Sequence, residues 1–258
     1  MTTLNCPKET VFHVKRDEKA GDATAPTPPR LAAEIFGERL PLAMQYADLL
    51  VTTGISYGLL GPREAPKVWE RHIVNCAIAE SLLPHRTRLI DIGSGAGLPG
   101  LALAIARPDL RITLVEPLAR RTDWLLNAVA TLGLTQVTVQ RARAEDLAGR
   151  IQASVVTARA VAKLEQLVAW SWPLMPQGGR LLALKGQNAA TELAEAQARI
   201  GQFGVQSSTV HSLGADVLDP PVRVVEVVRV PPTAGSGRPA RAGAKNPHAS
   251  SARARRSA

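Results

Sequence analysis

Residues 91–100 read DIGSGAGLPG, which places one carboxylate, four glycines and a proline directly after the apolar run RLI. Glycine gives positive backbone torsions and removes the Cβ that would hold a ligand away from the main chain. A glycine-dense turn at a strand end therefore suits close approach to a flat or charged ligand. Asp91 can accept amide hydrogens of the turn, or meet a ligand ammonium through water. Glu116 ends the next strand-like run, RITLVE, and is placed to accept two ribose hydroxyl hydrogens. Turn and acid together describe an adenosine site.

Gly95, Gly97 and Gly100 satisfy G-x-G-x-x-G, the dinucleotide pattern. Gly93 and Asp91 extend it to D-x-G-x-G-x-G. An acid beside a pyrophosphate is repulsive, whereas it suits the cationic amino group of S-adenosylmethionine. These residues point to S-adenosylmethionine as cofactor, with a nicotinamide-dependent oxidoreductase or a turn that binds nothing as alternatives. The two cysteines, Cys6 and Cys76, lack metal-ligand spacing, so reduced thiols and no metal are expected.

The elements that must position these groups follow from apolar patterning. Strand-like runs occur at RLIDIG, RITLVE, QVTVQ, SVVTA, GRLLALKG, GVQSSTV and VRVVEVVRV. Helical segments separate the first six: PGLALAIAR, LARRTDWLLNAVATLG, a short one near AEDLAG, KLEQLVAWSWPLM and NAATELAEAQARIG. Such alternation implies right-handed crossovers and a parallel sheet covered on both faces. No helix separates the last two runs, which predicts a hairpin with the final strand antiparallel. The fold class expected is α/β: a Rossmann-like, seven-stranded, mostly parallel methyltransferase sheet with a helical cap ahead of it. The cap includes EAPKVWERHIVNCAIAESLL, with Pro66 suited to a first helical turn. The domains expected are a mobile arm at 1–30, the cap at 31–85, the donor-binding domain at 86–230 and a disordered basic tail at 231–258.

The net charge of +9 is unevenly placed: six of the nine excess positive charges lie after residue 230, in a stretch without acids, leaving three for the rest. That tail is rich in Pro, Gly, Ala and Ser and has too little apolar surface to offset ordering entropy. It suits solubility or loose attraction to polyanions. No stretch reaches the length of a spanning helix, and the polar start lacks the apolar core of a signal peptide, so the cytoplasm is expected and a membrane partner is not.

The stretches RHIVNCAIAESLL, LIDIGSGAGLPGLALAIARPDLRITLVEPLARRTDWL, VVTARAVAKLEQLVAW and GGRLLALKGQ resemble the bacterial guanine-N7 methyltransferases of small-subunit ribosomal RNA. That family is also called glucose-inhibited division protein B, and the resemblance runs over residues 42–230. It implies a guanine in the decoding-region loop of 16S rRNA as substrate, with the 16S rRNA or the small ribosomal subunit as partner and no DNA. It implies donor contacts at Gly93, Leu98, Ala144, Glu145 and Arg159. The cap departs from the family's pattern at residues 57–60 (YGLL) and at Asn75 and Cys76.

The fourth strand ends in Thr157-Ala158-Arg159-Ala160. Exocyclic-amine methylases place an Asn- or Asp-Pro-Pro-aromatic segment there, and pyrimidine-carbon methylases use a Pro-Cys nucleophile; this chain has neither. Guanine N7 needs neither, because it offers a ring lone pair and carries no proton, so no general base is expected. Arg71, His72, Arg120, Arg121, Lys163 and Lys185 are the candidates to meet RNA, either at phosphates or as a solvated rim. His72 reads as a surface or capping contact rather than a proton shuttle. The four tryptophans, at 69, 124, 170 and 172, read mainly as core. A non-catalytic RNA-binding protein with a donor-like turn is a further alternative.

Overall fold

A computed structural model describes residues 24–231; the arm up to residue 23 and the tail from residue 232 lie outside the described residues. All seven expected strands form: β1 Arg88–Ile92, β2 Arg111–Val115, β3 Val137–Gln140, β4 Val155–Arg159, β5 Arg180–Lys185, β6 Val205–Leu213 and β7 Val222–Arg229. They make one sheet in the order β3-β2-β1-β4-β5-β7-β6. Pairs among β1 to β5 are parallel, and β7 runs antiparallel between β5 and β6. The expected hairpin is thus present, and the fold class is that of the methyltransferase sheet.

Alternation along each strand divides the interior into two layers. Leu89, Ile112, Leu114, Leu182 and Val224 face a core shared with the N-terminal helices α1 Arg30–Phe36, α2 Leu40–Leu49 and α3 Val74–Ala77. Helices α4 Gly100–Ala106 and α5 Ala119–Thr131 close the same side, where Trp69 and Trp124 are buried. Ile90, Val156, Ala158, Leu181 and Val225 face the opposite layer, with α6 Leu164–Ser171 and α7 Ala189–Ile200. Burial on both faces explains why the strands read as continuous apolar runs. No helix among the described residues is long and apolar enough to cross a membrane.

The cap is wound less regularly than its sequence suggests. Residues Pro62–Lys67 form a tight 3-10 stretch with Pro66 inside it, and Ile78–Leu82 form another. Proline lacks the N–H that an α-helical interior needs, which favours short tight turns here. The first of these stretches bears Glu64, and the segment Val68–Ile73 that follows it bears Arg71 and His72.

Candidate functional site

The strand order reverses between β1 and β4, and a ligand crevice is expected outside the carboxyl ends of the strands at such a switch point. A cavity of about 480 Å³ lies there, lined by Gly93, Ser94, Gly95, Ala96, Leu98, Glu116, Arg121, Arg159 and Val161 among others. Gly93, Gly95 and Gly97 adopt φ of +67°, +55° and +83°. A Cβ on Gly95 would meet only the Gly93 carbonyl, at 3.9 Å, so this position is kept open.

Two buried carboxylates hold the turn in shape. Oδ2 of Asp91 accepts a hydrogen bond from the Gly100 amide at 3.1 Å, and Oδ1 accepts one from the Thr157 hydroxyl at 3.2 Å. The parallel register sets Asp91 and Thr157 side by side on β1 and β4. Burial pushes the Asp91 carboxyl up to about 7, against the hydrogen bonds from Ser94, Gly100 and Thr157 that favour its charged form. Oε2 of Glu116 accepts from the Gly95 amide and Oε1 from the Leu118 amide, both at 3.0 Å.

Asp91 and Gly97 stand back from the cavity wall. Asp91 is fully buried, and its carboxylate braces the turn from behind. A Cβ on Gly97 would lie 2.4 Å from Leu101 Cδ1, so this glycine allows the turn to pack on α4 rather than admitting a ligand. Gly97→Ala should therefore destabilise the fold by about 2 kcal/mol or more, adding overpacking to a left-handed torsion. Chemical denaturation checks this; a midpoint equal to that of the parent chain would contradict it.

Ala144 and Glu145 line a smaller cavity of about 90 Å³ with Trp170. It shares Gly93, Pro117 and Val161 with the larger one. Trp170 and Val161 are side chains that sequence reasoning did not place at the site. Tyr46 is another: its hydroxyl, buried in the cap, donates to the Ala96 carbonyl of the turn at 2.8 Å. Nothing in local patterning signals a contact across 50 residues.

A groove of about 860 Å³ adjoins the cavity beside the glycine turn, and His72, Arg159 and Ala160 line both. Arg71, Asn75, Lys67, Lys185 and Gln187 also face the groove. Two of its cations are already paired within the protein. Lys185 is 8% exposed, with Nζ 2.7 Å from Glu192 and from the Ala162 carbonyl. Arg71 pairs with Glu64 at 2.9 Å. Arg120 lies over the Tyr57 ring and donates to the Ser56 carbonyl, whereas Arg121 lines the cavity beside the glycine turn. Lys163 lies apart, beside Glu165 and Arg199.

Arg159, the last residue of β4, donates to the Arg71 carbonyl at 3.1 Å and to Nδ1 of His72 at 3.0 Å. Nε2 of His72 lies 3.0 Å from Glu64. Glu64 carried no sequence signal. Its carboxyl sits below the ordinary range, chiefly through the hydrogen bond to His72.

Comparison with known proteins agrees with this architecture. The family described as GidB, rRNA small subunit methyltransferase G, matches residues 39–219. The ribosomal RNA small subunit methyltransferase G of Salinispora tropica is 51% identical over 219 residues, covering 81% of this chain and 90% of that protein. The protein of the same name from Thermobifida fusca is 50% identical over 200 residues, covering 78% and 84%. Among solved structures, the apo form of the S-adenosylmethionine-dependent methyltransferase SibL superposes with a TM-score of 0.54 at 17% identity, over 78% of this chain and 70% of that one, a likeness of fold. The chain belongs to the rRNA small subunit methyltransferase G family.

Proposed function

We propose that this protein transfers a methyl group from S-adenosylmethionine to N7 of a guanine in the decoding-region loop of 16S rRNA, in the cytoplasm. The observation that carries the proposal is the junction of the two cavities at Arg159, Ala160 and His72. A donor in one and a base in the other would meet at that junction, with the glycine turn behind the donor.

The residues present fit the donor. The cavity of about 480 Å³ beside the glycine turn falls within the roughly 300–1,000 Å³ typical of small-ligand sites. Gly93, Gly95 and Leu98 would meet its amino-acid part and sugar, Glu116 its ribose hydroxyls, Ala144 and Glu145 its adenine, and Arg159 its carboxylate. Each Glu116 oxygen accepts one backbone bond and retains a lone pair for a hydroxyl. When bound, S-adenosylmethionine supplies an electrophilic methyl group on a sulfonium leaving group.

What remains for the protein is placement and exclusion of water. Guanine N7 has no proton to lose, so no side chain must act as base. The geometry agrees with that economy: both ring nitrogens of His72 are engaged, one by Arg159 and one by Glu64. The cap, residues 31–85 in this reading, would carry the RNA side of the groove through Arg71 and its neighbours.

Equilibrium binding and turnover test the proposal together. The chain should bind S-adenosylmethionine and its demethylated product, ignore nicotinamide dinucleotides, and pass labelled methyl to small-subunit RNA as 7-methylguanosine. Dinucleotide binding in place of the donor would support an oxidoreductase. Donor binding without any transfer would support a non-catalytic RNA-binding protein.

A further inference from the structure

We propose that Glu64 and His72 are positioning residues for Arg159, forming a carboxylate–imidazole–guanidinium chain that fixes how the guanidinium meets the donor. The proposal rests on the reading of Arg159 as the contact for the donor carboxylate.

The geometry determines the protons. Arginine only donates, so the 3.0 Å contact from Arg159 requires a lone pair on Nδ1 of His72. The ring proton of the neutral imidazole then lies on Nε2 and is donated to Glu64 at 3.0 Å. His72 is 13% exposed and Glu64 29% exposed, so water competes weakly at the ring. A second hydrogen bond, to the Arg71 carbonyl, holds the other terminal nitrogen of Arg159. Two of the five N–H groups are thus committed to the cap.

This arrangement places the orientation of a β4 side chain under the control of the cap. Arg159 and His72 are 87 residues apart in the chain, and their contact crosses the junction of the two cavities. A guanidinium anchored before the donor arrives loses less freedom on binding than one that must be ordered then. A carboxylate also binds best when the planar donor fork faces it.

The chain carries a pH signature. The charged groups facing the ring are Glu64 and Arg71 from the cap and Arg159 from β4. Burial, followed by the positive charge of Arg159, holds the imidazole below its ordinary range. The contact is therefore intact at neutral pH. Acidification places a second proton on Nδ1, facing an N–H of Arg159, and breaks the contact.

Glutamine and asparagine at position 72 separate the two ring nitrogens, because the Gln amide reaches the Nε2 position and the Asn amide the Nδ1 position. The probes are S-adenosylmethionine and 5′-methylthioadenosine, which lacks the amino-acid carboxylate. His72→Gln should weaken S-adenosylmethionine by about tenfold and leave 5′-methylthioadenosine within about twofold. His72→Asn, whose amide oxygen can accept from Arg159, should recover S-adenosylmethionine affinity to within about threefold of the parent chain. Single-turnover transfer by His72→Gln at saturating donor and RNA should stay within about tenfold, since positioning acts on binding and no proton transfer is lost. Acidification to below the ordinary imidazole range should weaken the donor more in the parent chain than in His72→Asn, which has no ring to protonate.

Glu64→Gln keeps an acceptor for Nε2 and provides a second variant should His72→Gln fail to fold; it should give a smaller loss, again confined to S-adenosylmethionine. Unchanged donor affinity in both His72→Gln and Glu64→Gln would overturn the proposal, as would equal losses for the two probes. Normal donor affinity in Arg159→Lys would remove the donor reading itself. A loss in Arg159→Lys with none at His72 or Glu64 would remove only the positioning chain.

Discussion

Glu116→Ala is expected to weaken S-adenosylmethionine by at least about tenfold, because two charge-assisted hydrogen bonds worth about 1.5–3 kcal/mol each would be lost. The carboxylate is 2% exposed, so solvent cannot replace it readily. The substitution also strips the Gly95 and Leu118 amides of their acceptor, loosening the turn at its most open position. Glu116→Gln should fall between the parent chain and the alanine variant, since one amide nitrogen would face a backbone N–H and could not accept from it. Calorimetric titration of the donor, with circular dichroism to confirm folding, measures the effect. An unchanged dissociation constant in a folded Glu116→Ala protein would exclude the ribose role.

Arg159→Lys is expected to weaken S-adenosylmethionine by about tenfold while leaving RNA affinity nearly unchanged, because lysine keeps the charge and loses the planar fork. It also cannot reproduce both the Arg71 carbonyl and His72 contacts in one plane. Arginine often reads guanine through O6 and N7, but that contact would occupy the lone pair that must attack the methyl group. In the proposed reaction Arg159, which lines both cavities, is therefore better spent on the donor. If it held an RNA phosphate instead, the variant would bind the donor normally, and its RNA affinity would show a shallower salt dependence, by about 0.7–0.9 in log–log slope. Measuring both affinities across a salt series distinguishes the two.

The sheet was legible because its physics is local. Seven apolar runs, bounded by turns and separated by helical periodicity, specify strands buried on both faces. The missing helix before VRVVEVVRV specifies the antiparallel partner. The placing of the glycine turn and Glu116 at strand ends, against one cavity, was also legible from residue type and order.

Residues whose role depends on distant partners were not legible. Lys185 reads as a free cation until Glu192 is seen against it. Asp91 reads equally as a brace for the turn amides or as a ligand contact until the bonds to Gly100 and Thr157, the latter 66 residues away, show its carboxylate beneath the turn. Glu64 carries no signal in the sequence, and its contact with His72, eight residues on, is seen only in the folded cap. In each case the long-range packing that fixes the partner leaves no periodic trace in the chain.

The proposed methyl transfer to one guanine of the small-subunit RNA is tested most directly by comparing 16S rRNA from cells with and without this gene. Mapping by reduction and aniline cleavage, which breaks the chain at 7-methylguanosine, should give a single cleavage in the decoding-region loop that disappears with the gene and returns with the parent sequence but not with Glu116→Ala. An identical cleavage pattern in both RNAs, or loss of a methyl group at another atom or another base, would contradict the account.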